Sequence, residues 1–227
     1  MKTSKIEEYL NVLFPNPKCE LTYSNDYELL IAVVLRAQST DKRVNSVTSI
    51  LFNKYHSLFE LKNANLNDLE LIIHPVGSFR KKSYYVKEIA RLIDEDYNGK
   101  VPVDRDKLIL FPGVGRKTIN VFLSEFYNEP AIAVDTHVER VSKRLGLAYK
   151  NDDVLVIEKK LMRKFRKDIW SKLHLQLVLF GRYYCKAIKP ECRDCQLCSI
   201  CKEKKKNFNW NAPIKVDTNK KEGVRKM

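Results

Sequence analysis

Apolar residues recur at helical spacing over most of this chain. Ser83 to Tyr97 places Tyr85, Ile89, Leu92 and Ile93 on one stripe, and Asp152 to Phe165 does the same with Val154, Ile157, Leu161 and Phe165. Ile169 to Gly181 carries Trp170, Leu173, Leu177 and Phe180, and the glycine reads as a helix stop. Tyr27 to Gln38 has no turn residue and contains the longest apolar run, Leu29 to Leu35, so it reads as a buried helix. The one alternating stretch that suggests a strand is Ala131-Ile132-Ala133-Val134. Breaks fall at Pro75-Val76-Gly77, Asn98-Gly99, Pro112-Gly113-Val114-Gly115 and Asn128-Glu129-Pro130. There is no internal repeat. The pattern predicts an all-α protein.

The most informative break is Leu108-Ile109-Leu110-Phe111-Pro112-Gly113-Val114-Gly115-Arg116-Lys117. Pro112 ends a helix, two glycines allow a tight reversal, and Ile119, Phe122, Leu123 and Phe126 resume the helical stripe. This is a helix–hairpin–helix, whose second helix opens with free N–H groups able to hold a phosphate oxygen. The turn has neither the preceding strand of a dinucleotide fold nor the G-x-x-x-x-G-K-[ST] of a P-loop. Lys117 lies roughly opposite the stripe around Phe122, so it faces away from its own helix's core. It reads either as a phosphate-binding lysine or as an amine nucleophile, and the positive potential of a helix N-terminus favours the neutral amine that attack needs.

Eighteen residues on, Ala133-Val134-Asp135-Thr136-His137 precedes another helix, with Thr136 and Glu139 fitting a capping box. Asp135 is either a plain cap or a carboxylate held to support positive charge developing at a sugar C1′. His137 fits packing and phosphate contact equally well.

Charge narrows the partner. The 227 residues carry 42 Lys+Arg against 28 Asp+Glu, a net charge of +14, which favours an anionic polymer. Residues 202–227 hold nine of the basic residues and three of the acidic ones, so six of those charges belong to a basic tail. No apolar run approaches the roughly 20 residues that span a bilayer, and the start, Met1-Lys2-Thr3-Ser4-Lys5, is not a signal region. A cytoplasmic protein without membrane contact is expected.

Cys19 stands alone, whereas Cys185, Cys192, Cys195, Cys198 and Cys201 fall within seventeen residues. Disulfides account poorly for five thiols so tightly spaced, and thiolates in this density select zinc or iron–sulfur. Spacing alone leaves two sets of four: Cys192 with Cys195, Cys198 and Cys201, or Cys185 in place of Cys198. Arg182, Lys186, Lys189, Arg193 and Lys202 surround the group, which suits a phosphate-binding surface better than an electron-transfer module.

Phe111-Pro112-Gly113-Val114-Gly115-Arg116-Lys117-Thr118, then Ala133-Val134-Asp135-Thr136-His137, then Cys185, Cys192, Cys195 and Cys201 together closely resemble the endonuclease III family. These are the bifunctional DNA glycosylase/AP lyases of the helix–hairpin–helix glycosylase superfamily. The resemblance runs from Glu28-Leu29-Leu30-Ile31-Ala32-Val33-Val34-Leu35-Arg36-Ala37-Gln38-Ser39-Thr40-Asp41 to beyond Cys201. It implies a two-domain all-α fold with the DNA cleft between a helical barrel, 19–129, and a cluster domain, 1–18 plus 130–201, followed by the tail 202–227. It further implies Lys117 as nucleophile, Asp135 as essential carboxylate, and one [4Fe-4S] cluster on Cys185, Cys192, Cys195 and Cys201, with Cys198 the extra thiol. Gln38, Gly113, Gly115, Arg116 and Lys189 would meet DNA, Gln38 entering where a damaged base has left. The implied substrate is double-stranded DNA carrying oxidised pyrimidines or abasic sites, bound by a monomer.

Two positions depart from the family pattern. Ser78 stands where the family has a bulky apolar wedge, which passes that role to Phe79 or weakens opening of the duplex. Glu191 replaces a basic residue before Cys192 and would weaken one phosphate contact. Rival readings are a monofunctional adenine or mismatch-thymine glycosylase, and a non-catalytic DNA-binding module with a zinc knot. The first usually lacks a lysine at the position of Lys117, and its adenine-specific members carry a C-terminal recognition domain that the residues after Cys201 are too few to form.

Overall fold

The computed structural model describes residues 2–208. Its eleven α-helices are α1 (Lys2–Leu13), α2 (Asp26–Leu35), α3 (Asp41–Lys54), α4 (Leu58–Asn63), α5 (Leu66–Ile73), α6 (Phe79–Asp96), α7 (Arg105–Leu108), α8 (Arg116–Phe126), α9 (Thr136–Arg144), α10 (Val154–Lys164) and α11 (Trp170–Tyr183). A short 3-10 turn, Lys167–Ile169, leads into α11. No strand occurs among the described residues, and none of their helices is long and apolar enough to cross a membrane.

Buried side chains gather in two cores. The first is built on α2, whose residues Leu29 to Leu35 are all buried, with α3, α6 and α8 packed on it, α4 and α5 on α6, and Leu108 of α7 in the same core. An Asn25 cap and Glu28, which bonds back to the Ser24 N–H at 2.7 Å, start this helix. The second core joins α1 to α9, α10 and α11, with Leu197 from the cysteine loop as its last member. The N-terminal helix therefore packs with the C-terminal half of the chain, far from its sequence neighbours.

The alternating segment Ala131–Val134 forms no strand. It runs between the cores: Ala133 packs in the first, Ile132 and Val134 in the second. A period of two needs only two apolar sides, and here two lobes supply them in place of the faces of a sheet.

Three boundaries differ from the sequence reading. Helix α2 ends at Leu35, three residues before Gln38, because Gln38 adopts a left-handed φ of 57°. The helix before the hairpin ends at Leu108, and turns fill the interval to Pro112. Gly181 is no stop, since α11 continues to Tyr183. A Cβ on Gly181 would lie 2.8 Å from the His137 Cβ, so this glycine lets α9 and α11 touch.

Candidate active site

An open cleft of about 790 Å³ lies where the lobes meet and is lined by Arg36, Gln38, Lys117, Asp135 and Arg182 among others. Lys117, Thr118 and Val121 of α8 form one wall, and the hairpin leads into that helix. Phe111 and Val114 are buried and fix the hairpin to the first core, each worth about 2 kcal/mol. Gly113 has φ +76°, and a Cβ there would stand 2.6 Å from Tyr85 and 3.1 Å from Val34, so both backbone sign and space require glycine. Gly115 begins α8 with no side chain capping it and open space around its Cα, which leaves the first N–H groups of the helix facing outward.

Lys117 is the second residue of α8, open to the cleft solvent and crowded by protein on its other sides. That desolvation lowers its amine pKa; Asp135 and Asp41 pull it back up, and the Arg36 guanidinium pushes it further down. Asp135 closes the opposite wall. It is buried and caps α9, with Oδ1 accepting from the N–H groups of His137 at 2.9 Å and Val138 at 2.8 Å. The capping box expected at Thr136 is thus displaced by one residue, and Glu139 pairs instead with Lys143 at 2.6 Å. Because Oδ1 is occupied by the cap, Oδ2 is the oxygen left for the cleft.

Gln38 is exposed on the turn after α2, and Ser78 on the turn before α6; Gly77 approaches the Gln38 carbonyl, so the turns are neighbours. Ser78 holds a left-handed φ of 57°, whereas Phe79 is half-buried against the first core and its ring lies 4.7 Å from His74. Of the two residues at the expected wedge, Ser78 is exposed, while Phe79, to which the role was expected to pass, is half-buried. Arg116 is tied to Glu158 of α10 at 2.6 Å, which joins the lobes at the hairpin's foot. Lys189 is exposed in the cysteine loop with a φ of 50°.

Several groups around the cleft escape pattern reading. Lys82 is buried in α6 and donates to the carbonyls of Leu35 at 2.9 Å and Ala37 at 2.5 Å, which fixes the turn carrying Arg36 and Gln38. Asp41, also buried, contacts Arg36 at 2.8 Å and Arg182 of α11 at 2.8 Å. Arg182 also pairs with Glu20, which accepts from the Tyr183 hydroxyl at 2.6 Å. Helical periodicity treats such charges as surface positions and has no signal for their burial.

Cys185, Cys192, Cys195, Cys198 and Cys201 all line one small cavity, closed by Leu145 and Phe180. Among the described residues no three ligand-type side chains converge on a point that one metal ion could occupy. Five thiols around one apolar cavity make a soft, all-sulfur donor set, which fits an iron–sulfur group. Arg144 Nη1 lies 3.5 Å from the Cys185 sulfur and donates to the Lys186 carbonyl at 2.7 Å, while Arg140 donates to the Gly181 carbonyl at 2.7 Å. Two arginines of α9 thereby hold the start of the loop. Glu191 pairs with Lys186 at 2.6 Å, so one acidic and one basic group of the loop cancel.

Residues 31–167 match the model of the HhH-GPD superfamily of base excision DNA repair proteins. The chain is 50% identical to endonuclease III of Bacillus subtilis over 194 residues, 86% of this chain and 89% of that one. It is 39% identical to endonuclease III of Rickettsia felis, covering 93% and 96%. Among solved structures, a trapped endonuclease III–DNA covalent intermediate superposes with a TM-score of 0.84 at 47% identity, over 89% of this chain and 96% of that one. A non-covalent endonuclease III–DNA complex gives 0.85 at 46%, with the same coverage.

Proposed function

The chain belongs to the HhH-GPD superfamily of base excision DNA repair proteins, and on that footing we propose that Lys117 is the nucleophile and Asp135 the essential carboxylate of its reaction. The protein is a bifunctional DNA glycosylase/AP lyase that removes damaged pyrimidines from duplex DNA and cuts the strand at the resulting abasic site. One observation carries the residue assignment: two helix N-termini, one from each core, bring an amine and a carboxylate into the same cleft.

The hairpin N–H groups and Arg116 hold the backbone while the damaged nucleotide leaves the stack and Gln38 enters its place. Neutral Lys117 donates its lone pair to C1′ as the glycosidic bond breaks, and the base departs with the bonding electrons and gains a proton. The Asp135 Oδ2 charge stabilises the positive charge spreading over C1′ and the ring oxygen. Ring opening gives the protonated Schiff base. Loss of the C2′ proton then feeds electrons toward the iminium, expels the 3′ phosphate and cleaves the strand by β-elimination. Water hydrolyses the imine and restores the lysine.

Cys185, Cys192, Cys195 and Cys201 would hold the [4Fe-4S] cluster, which would serve as a cross-link for a loop with little regular structure. Cys198 is the extra thiol, and Lys189 a phosphate contact. We divide the chain at the same positions as the sequence does, 19–129 against 1–18 plus 130–201; the two separate cores support that division. Of the basic tail, residues 209–227 lie outside the described residues. We place the protein in the cytoplasm, on the nucleoid when bound to DNA.

Borohydride trapping tests the reading. The unchanged protein is expected to form a covalent adduct with duplexes carrying thymine glycol or an abasic site, and Lys117→Ala to form none. An adduct that persists in Lys117→Ala overturns the nucleophile assignment.

A further inference from the structure

The chemistry above makes opposing demands on two neighbours. Asp135 must stay anionic to stabilise a cationic sugar, yet an anion beside Lys117 favours the protonated amine, which has no lone pair to give. Left alone, the two would settle as an ammonium–carboxylate pair.

A third charge stands between the lobes. Arg36 follows the last residue of α2, most of its side chain is buried, and its Nη2 lies 3.9 Å from Asp135 Oδ2. That distance is too long for a hydrogen bond but close enough for strong charge interaction. The guanidinium is held back on its other side, where Nε meets Asp41 Oδ1 at 2.8 Å. Asp41 is itself fixed from the second lobe by Arg182 at 2.8 Å, and Lys82 anchors the turn beneath through the Leu35 carbonyl. The arrangement is over-determined for a surface arginine: two buried charged side chains and a second lobe define where it sits.

Resting on the reading of Lys117 and Asp135 given above, we propose that Arg36 is a positioning residue of this reaction: tethered by Asp41, it compensates the Asp135 charge and keeps Lys117 from being captured as an ammonium ion. The tether matters as much as the charge. Released, the guanidinium could close on Asp135 as a two-pronged pair and occupy the oxygen that must face C1′. Held at 3.9 Å, it offsets the carboxylate's charge without covering it.

The groups facing Lys117 are Asp135 from α9, Arg36 from the end of α2, Asp41 from α3 and His174 from α11. Arg36 depresses the amine pKa, whereas Asp41 and Asp135 raise it. Removing Arg36 and removing the Asp41 charge must therefore act in opposite directions on the proton of Lys117.

The test is the pH profile of single-turnover borohydride trapping on abasic-site duplex at saturating protein, alongside binding to a tetrahydrofuran abasic analogue. Arg36→Gln is expected to move the acidic limb up by about one pH unit and to slow trapping about tenfold on that limb, with Arg36→Lys restoring most of both. Asp41→Asn keeps the cation and is expected to move the limb down; it asks the same question should Arg36→Gln fold poorly. An unmoved limb in Arg36→Gln accompanied by weaker binding makes Arg36 a plain phosphate contact and overturns the proposal. So does an Arg36→Lys profile identical to that of Arg36→Gln, or an unmoved limb in Asp41→Asn. If the unchanged protein forms no adduct, the lyase reading itself has failed; if it does and the limbs stay together, only the role of Arg36 has.

Discussion

The cleft wall and the cysteine loop hold their reactive groups by different means. Lys117 and Asp135 sit at the starts of α8 and α9, where backbone geometry fixes them and buried neighbours crowd them. The cysteines lie on turns after α11, held by arginines of α9 and by Leu197 in the second core. Helices place a side chain through hydrogen bonds that the chain makes by itself, whereas a loop of turns needs a cross-link to have a definite shape. The first region should lose chemistry without losing structure; the second should lose structure with its metal.

Asp135→Asn breaks that comparison most directly. Asparagine caps a helix nearly as well as aspartate, so stability should change by only a few tenths of a kcal/mol. Base release from thymine glycol should nonetheless fall about 10²–10³-fold, the scale of removing one preorganised electrostatic group from a transition state. Cys195→Ser should do the reverse, with iron content and thermal stability lost together. Burial pushes the Cys195 thiol up to about 11, so this sulfur becomes a thiolate only with a cation's help. Cys198→Ser should retain iron. If Asp135→Asn unfolds the protein, or if Cys198→Ser loses its iron, the division between the regions has been drawn in the wrong place.

Legibility in sequence follows the same divide between local and distant determinants. Lys117, Asp135 and the cysteines stood out as candidates because each sits in a short motif, although cysteine spacing alone left the ligand set open and the family resemblance supplied the roles. Arg36, Asp41 and Arg182 form one charged chain across the cleft, but α11 lies more than a hundred residues from α2, and no local pattern brings them together. Lys82 is one of three basic residues in a row, Arg80-Lys81-Lys82, and only its burial shows what it holds. Gly181 misled for a related reason. A glycine late in a helix marks either an end or a close approach, and the partner that decides between them, His137, lies on another helix.

Gly181→Ala measures how far the two regions depend on each other, because α9 supplies both the Asp135 cap and the arginines of the loop. The added methyl would meet the His137 Cβ at 2.8 Å and the Val141 Cγ2 at 3.2 Å. Such overpacking costs about 1–3 kcal/mol, read as a lower denaturation midpoint. If α9 moves as a unit, trapping by Lys117 and cluster retention should decline together. A variant that loses activity with its cluster untouched would show the regions to be uncoupled through this contact.

The smallest effect separates their responses to acid. His174 on α11 is buried behind the cleft wall, and burial lowers its pKa from 6.5 to about 4; Asp135 pulls the other way, while Arg36 and Lys117 add to the fall. Between those values the unfolded chain binds a proton that the folded protein refuses, so stability is full above about pH 6.5 and declines as pH drops toward 4. The slope is about 1.4 kcal/mol per pH unit where the difference is a whole proton. Denaturation midpoints measured at about pH 7.5 and about pH 5.5 should therefore differ by roughly 1 kcal/mol in the unchanged protein, and the difference should vanish in His174→Gln. Metal-bound thiolates also take up protons as they are released, so the cysteine loop offers a second source of acid sensitivity. The two are separable: if His174→Gln keeps the full acid slope and loses iron in step with it, the acid response belongs to the loop, and the cleft wall is insensitive to pH over this range.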